Sequence, residues 1–141
     1  MDHLERFIEV YHQLDHDNLE RLTEIYAPEV RFIDPAHEIS GRDNLTHYFS
    51  ALYANINSID FSFERQLQEA DQAVLVWVMT FRHPRLAGGK PISVPGCSWL
   101  SFNSQGQALE QRDYFDLGAM LYEQLPLLGR MVRSIKRRLG Q

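Results

Sequence analysis

The sequence predicts an α+β fold in which three N-terminal helices close the concave side of a curved antiparallel sheet. Two observations carry that expectation. Up to Ile56 the apolar residues recur every three or four positions, as on one face of a helix; from Ile59 they recur every second position, as along a strand. Pro and Gly clusters then cut the second half into strand-length pieces joined by turns rather than by crossover helices.

Leu4, Phe7, Tyr11 and Leu14 form the stripe of a first amphipathic helix. Asp17 and Glu20 make the acidic cap and first turn of a second, which buries Leu19, Leu22 and Tyr26 and stops at Pro28. A short strand spans Val30 to Asp34. Ser40 with Asp43 resembles a capping box and opens a third helix, with Leu45, Tyr48, Phe49, Leu52, Tyr53 and Ile56 on its broad apolar face.

Ile59, Phe61, Phe63, Arg65 and Leu67 share one face of a half-buried strand. Ala73 to Arg82 is apolar on both faces, which suits a central strand. Pro84, Gly88-Gly89 and Pro91 mark a long connection to a strand at Ile92 to Phe102, where Pro95-Gly96 signals a bulge. Asn103 to Gly106 turns into a last strand, Ala108 to Asp116. These elements make one domain over residues 1–117. Residues 118–141 add a C-terminal amphipathic helix, with Leu125, Leu128, Val132, Ile135 and Leu139 in one stripe.

At 141 residues, 44% of them apolar, the chain can bury a core without staples. One cysteine, Cys97, excludes an internal disulfide and reads as a small buried hydrophobe in a reducing compartment. The opening MDHLERFIEV lacks the layout of a signal peptide, and the longest apolar run, Ala73 to Met79, is too short to span a bilayer. The expected location is cytoplasmic. A net charge of −5 argues against nucleic acid. Residues 1–117 carry nine Lys/Arg against eighteen Asp/Glu, a net of −9; residues 118–141 carry five against one, a net of +4.

Asp34 shares a strand face with Val30 and Phe32. Desolvation there raises a carboxyl pKa and suits it to proton transfer near neutral pH. The alternative is that Asp34, just before Pro35, caps the following turn. Asp113 shares a face with Leu109, Gln111 and Phe115; its alternative is a salt bridge to Arg31 or Arg65. Two carboxylates in one apolar pocket would separate into an acid and a base. His12 and His16, with Asp15 between them, have a zinc-like spacing, but no third ligand is placed, so no metal is expected. His37 and His47 read as surface residues, with His37 near a pocket mouth. Arg82-His83-Pro84-Arg85 reads as a solvated loop with an anion site as the alternative. No phosphate loop or redox motif is present, so no cofactor is expected.

The stretch Leu19…Leu22…Ile25-Tyr26-Ala27-Pro28-Glu29-Val30-Arg31-Phe32-Ile33-Asp34-Pro35, then Gly41-Arg42-Asp43-Asn44-Leu45, resembles the nuclear transport factor 2-like superfamily, its SnoaL-like branch most closely. The segment Asn103-x-x-Gly106…Arg112-Asp113-Tyr114-Phe115-Asp116 fits the same pattern. The resemblance implies a cone-shaped, cystatin-like α+β barrel around a pocket, and a homodimer. Asp34 falls where ketosteroid isomerase keeps its proton-transferring aspartate, and Tyr11 near its oxyanion-stabilising tyrosine. The protonated aspartate of that enzyme falls at Ser98, a weaker donor. Asp113 resembles the aspartate of SnoaL-type polyketide cyclases, whose histidine would fall at Ser98 or Trp99. Asp34, Arg112 and Asp113 supply the residue types of limonene epoxide hydrolase, but Arg112 and Asp113 face opposite sides of a strand.

The resemblance thus implies a binder of a small apolar molecule. Asp34, Tyr11 and Asp113 would perform isomerase-, cyclase- or dehydratase-type acid–base chemistry, and Phe32, Tyr48, Ser98, Trp99, Phe102 and Phe115 would line the ligand. The rival reading is a non-catalytic carrier or interaction module. Residues 125–139 read as a helix packed on its own acidic domain or a dimer mate, or as one docking on an anionic membrane or acidic partner.

Overall fold

The computed structural model describes residues 2–140, so the domain bounds at 1 and 141 lie outside the described residues. Helix α1 (His3–Gln13) is capped by the Asp2 carboxylate, which accepts from the Glu5 amide at 2.8 Å. The expected second helix is instead a six-residue 3-10 turn, Leu19–Glu24. Asn18 explains the change. Its side chain accepts from the Asp15 amide (2.8 Å) and donates to the Gln13 carbonyl (2.7 Å), so it closes off α1 rather than capping a new helix.

Tyr26, expected on that helix, opens strand β1 (Tyr26–Ile33) and is fully buried. Pro28 therefore lies within a strand. It is tolerated there because the pairing of β1 with its neighbour shifts register between Tyr26 and Arg31, where a missing N–H breaks no ladder bond. A short β2 (Glu38–Ser40) precedes α2 (Arg42–Asn55). The capping box does not form. Gly41, at φ 91°, holds the N-cap position without a side-chain bond, and Ser40 ends β2.

Strands β3 (Ser58–Glu69), β4 (Gln72–Arg82), β5 (Ile92–Phe102) and β6 (Ala108–Phe115) form an antiparallel meander. The full order is β2-β1-β6-β5-β4-β3, and β1 joins β6 in parallel, so the sheet is mixed rather than wholly antiparallel. It curves without closing, and β2 and β3 are its edges. Helices α1 and α2 cover the concave face. Leu4, Phe7, Val10 and Tyr11 from α1 and Leu45 and Phe49 from α2 are buried there against Leu75, Trp77, Val94 and Leu100.

Two expectations along the strands fail for local reasons. In β3 the register with β4 slips by one residue at Glu64, between the pairs Phe63–Trp77 and Arg65–Val76. Such a bulge exchanges the faces of everything beyond it. Leu67 consequently stands on the outer face, 74% exposed, while Phe61 and Phe63 point inward. In β5, by contrast, pairing with β4 runs unbroken through Pro95 and Gly96. Gly96 has a packing cause. A Cβ there would sit 2.7 Å from Cζ3 of the Trp77 indole and 2.8 Å from the Tyr114 carbonyl oxygen. Cys97 is half-buried rather than buried.

After β6, Asp116 caps the four-residue α3 (Leu117–Met120) by accepting from the Ala119 amide, and a 3-10 turn (Tyr122–Gln124) leads into α4 (Pro126–Leu139). Among the described residues no helix is long and apolar enough to cross a membrane. Gly96→Ala is expected to destabilise the fold by about 1–3 kcal/mol, the range for overpacking a close-packed site. Urea midpoints of the two proteins measure it, and an unchanged midpoint would mean the indole has room to move.

Candidate functional site

Between the concave face and the helices lies a cavity of about 400 Å³. Its wall is largely aromatic: Tyr11 from α1, Phe32 from β1, Tyr48, Phe49 and Tyr53 from α2, and Phe61, Trp77, Phe81 and Phe115 from the sheet. Two carboxylates reach it, Asp34 and Asp113. His37, His83 and Arg85 border it from loops, and Met120, Leu121 and Leu125 from the segment before α4.

Asp34 follows the last residue of β1, and its side chain is only 5% exposed. Its Oδ1 accepts from the amides of Ala36 (2.8 Å) and His37 (2.7 Å) and lies 3.1 Å from His37 Nδ1. That is a turn cap, the second of the two roles the sequence allows it. The other oxygen, Oδ2, lies 3.5 Å from the Tyr48 hydroxyl, which donates to it. Asp34 thus both closes the β1–β2 turn and presents one oxygen to the cavity.

Asp113 is held differently. It forms no ion pair among the described residues: Arg31 pairs with Glu38, and Arg65 lies beyond the bulge on the outer face. Ser98 Oγ (2.6 Å) and Gln111 Nε2 (2.9 Å) both donate to its Oδ1. Neither bond reaches Oδ2. With Oδ1 taken by two donors, a proton on this carboxyl resides on Oδ2, the oxygen left to the cavity. Burial pushes the group from 3.8 up to about 6; the Asp34 charge adds to the rise, and the Ser98 and Gln111 bonds oppose it.

The donors are themselves fixed. A carboxylate only accepts, so Gln111 turns its amide nitrogen to Asp113 and its oxygen to Tyr26, whose hydroxyl donates to it. Tyr26 has one proton, so the Tyr11 hydroxyl, 2.6 Å away, donates to Tyr26. On the other side Trp77 Nε1 donates to Ser98 Oγ at 2.9 Å. The donations from Tyr11, Tyr26, Trp77 and Ser98 thus all run toward Asp113, while Gln111 Nε2 also donates to the Tyr11 hydroxyl at 3.4 Å. Burial raises the Tyr11 hydroxyl far above its usual range, with the Asp113 charge second, so it stays protonated.

This geometry revises several expectations. Tyr11 borders the cavity, but its proton faces Tyr26 and is not free for an oxyanion. Ser98 is buried behind Asp113 rather than in the wall. Trp99 points to the outer face, 51% exposed, because neighbours along a strand alternate, and its indole donates to Gln72. Phe102 is buried against His3 of α1, away from the cavity. Phe32, Tyr48 and Phe115 do share the wall. Reasoning from sequence missed Tyr26 because it placed that residue on a helix, and it passed over Gln111, whose alternation with Asp113 already set both on one face. His12 and His16 do not share a helix face: α1 ends at Gln13, and the His12 ring packs on Phe63. The ligand atoms of Asp15, His16 and Asp17 lie within 4.8 Å of one another, all exposed, as solvated surface groups do.

Residues 4–111 match the family described as the SnoaL-like domain. Among solved structures, a candidate SnoaL-like polyketide cyclase from Jannaschia sp. CCS1 superposes with a TM-score of 0.73 at 19% identity, over 84% of this chain and 88% of that one. A protein with a ketosteroid isomerase-like fold from Catenulispora acidiphila, solved with trimethylamine, gives 0.74 at 16% identity, over 88% and 93%. TsrD from Streptomyces laurentii gives 0.70 at 19%, over 86% and 90%. At these identities the likeness is one of fold. No curated protein matches the chain.

The Asp113 shift has a consequence for stability. The folded protein holds a proton that the unfolded chain releases near pH 3.8, so this group's contribution is full below that pH and is lost as pH rises through about 6. Asp113→Asn keeps an acceptor for Ser98 and Gln111 but does not titrate. The stability difference between wild type and variant is therefore expected to change by on the order of 2–3 kcal/mol across that window. Urea unfolding at a series of pH values measures it; a constant difference would place Asp113 in water.

Proposed function

Because the chain belongs to the SnoaL-like domain family, we propose that its cavity binds a small, largely apolar molecule and that Asp113 transfers a proton to or from it. The observation that carries this reading is the orientation of Asp113. Both protein donors meet its Oδ1, while Oδ2 faces an aromatic chamber with the carboxyl's pKa close to neutral. As a carboxylate it takes a proton from carbon, and as the acid it returns that proton to another position, with no net change in the protein. The reaction class is isomerisation, cyclisation or dehydration without a cofactor.

Asp34 and Tyr48 take supporting parts. The Tyr48 hydroxyl sits at the wall beside Asp34 Oδ2 and can turn toward a polar end of the ligand. His37, His83 and Arg85 set polar groups around the rim, which suits a molecule with an apolar body and one polar end. The carrier reading uses the same chamber. It draws on the hydroxyl of Tyr11 and on Asp34 Oδ1, both engaged within the protein rather than offered to a guest.

The test needs no knowledge of the natural substrate. Small cyclic ketones incubated with the protein in heavy water report proton abstraction as deuterium uptake by mass spectrometry. Wild type is expected to exchange, with a rate that rises through about pH 6 as Asp113 ionises. Asp113→Asn is expected to lose on the order of 10²-fold or more in exchange while still binding 1-anilinonaphthalene-8-sulfonate in the cavity. Exchange that persists in the variant would remove Asp113 from the chemistry, and binding without exchange in wild type would favour a carrier.

The outer face of the sheet is where we place a second copy. Leu67, Val76, Trp99 and Tyr114 stand exposed there, with Arg112 and Glu110 side by side on β6 to supply both signs of charge. Trp99→Glu is expected to convert a dimer to a monomer in sedimentation velocity; a wild type that sediments as a monomer would refute the placement.

A further inference from the structure

Helix α4 is attached to the body by the wrong face for an ordinary terminal helix. Gly129, Arg133 and Lys136, one helical turn apart, form the attached side. Gly129 lies against the Glu123 carbonyl, where a Cβ would not fit, and Arg133 donates to the same carbonyl at 2.6 Å. Lys136 reaches Glu123 at 2.7 Å and also pairs with Asp116. Each contact is polar or backbone. Of the stripe expected from the sequence, Leu125 and Val132 are half-buried and Leu128 is 38% exposed; the apolar face turned outward is instead Leu127, Met131, Ile135 and Leu139, at 75%, 54%, 57% and 83% exposed. Arg130 and Arg137 lie along one side of it and Arg138 falls within it, all three exposed.

We propose that this face of α4 lies on an anionic lipid surface, with Leu127, Met131 and Ile135 entering the interface and Arg130 and Arg137 meeting the headgroups. A helix with an apolar stripe, a cationic polar face and modest overall hydrophobicity is the form that binds in the interface plane. No acidic residue follows Glu123, so nothing on the helix opposes a negative surface. A second copy fits less well. Two α4 helices face to face would oppose their basic residues. The segment leading into α4 supplies Met120, Leu121 and Leu125 to the cavity wall, so docking sets that wall next to the bilayer. The inference does not depend on the chemistry assigned to Asp113.

The test uses the full chain and two kinds of vesicle, equimolar phosphatidylglycerol and phosphatidylcholine, and phosphatidylcholine alone. Wild type is expected to sediment with the anionic vesicles at low salt and to be released as salt rises. Arg130→Gln with Arg137→Gln is expected to weaken binding roughly 30-fold, from about fivefold per basic residue near the surface. Met131→Ser with Ile135→Ser is expected to abolish it, with the urea midpoint unchanged because both side chains are exposed. Wild type left in the supernatant, or variants that bind as wild type does, would overturn the proposal. So would a loss of dimer in the Met131/Ile135 variant with vesicle binding intact, which would assign the face to a second copy.

Discussion

Asp113 Oδ1 is the point on which the interior is organised. Hydrogen bonds that end there link α1 through Tyr11, β1 through Tyr26, β4 through Trp77, β5 through Ser98 and β6 through Gln111. Each bond contributes on the order of 1 kcal/mol net, but removing one partner leaves a buried group unsatisfied at greater cost. Among the described residues no buried side-chain nitrogen or oxygen lacks a partner. A fully satisfied polar seam fixes its members against one another more tightly than apolar packing alone. Tyr11, Trp77 and Asp113 of this seam also line the cavity, whose other polar groups are Asp34, Tyr48 and Tyr53 in the wall and His37, His83 and Arg85 from the loops.

The two aspartates show how far residue type is from role. Asp34 accepts backbone amides at the end of a strand, so one of its oxygens belongs to the turn. Asp113 accepts only side chains, each oriented by a further bond, and its other oxygen belongs to the cavity. Alternation along a strand reveals that both point inward. It does not reveal which oxygen is engaged, because that depends on amides two and three residues on in one case and on strands distant in sequence in the other.

Periodicity made much of the fold legible. Two-residue alternation located β3, an apolar run located β4, Pro, Gly and Asn turn signals bounded β5 and β6, and three- and four-residue spacing located α1 and α2. Four features escaped it, each for a physical reason. Asp17 and Glu20 read as the start of a helix, but the Asn18 side chain between them bonds back to the end of α1. Leu67 matches the alternation of Phe61 and Phe63, yet one inserted residue at Glu64 exchanges the faces. Gly96 reads as a bulge, and only the position of the Trp77 ring shows why a side chain is excluded. The parallel pairing of β1 with β6 joins residues some eighty positions apart, which no local pattern encodes. At the site, Phe32, Tyr48 and Phe115 could be placed by face, whereas Trp99 and Phe102 required the register and the position of α1.

The slip at Glu64 also bears on self-association. β3 is twelve residues long and lies at an open margin of the sheet, where unpaired amides and carbonyls could template growth by an identical chain. The inserted residue interrupts that row near its middle and bends it, and Glu64 and Arg65 put opposite charges at the interruption. An incoming strand would find no uninterrupted ladder to extend, which protects a β-rich protein from fibrous stacking along its most exposed flank.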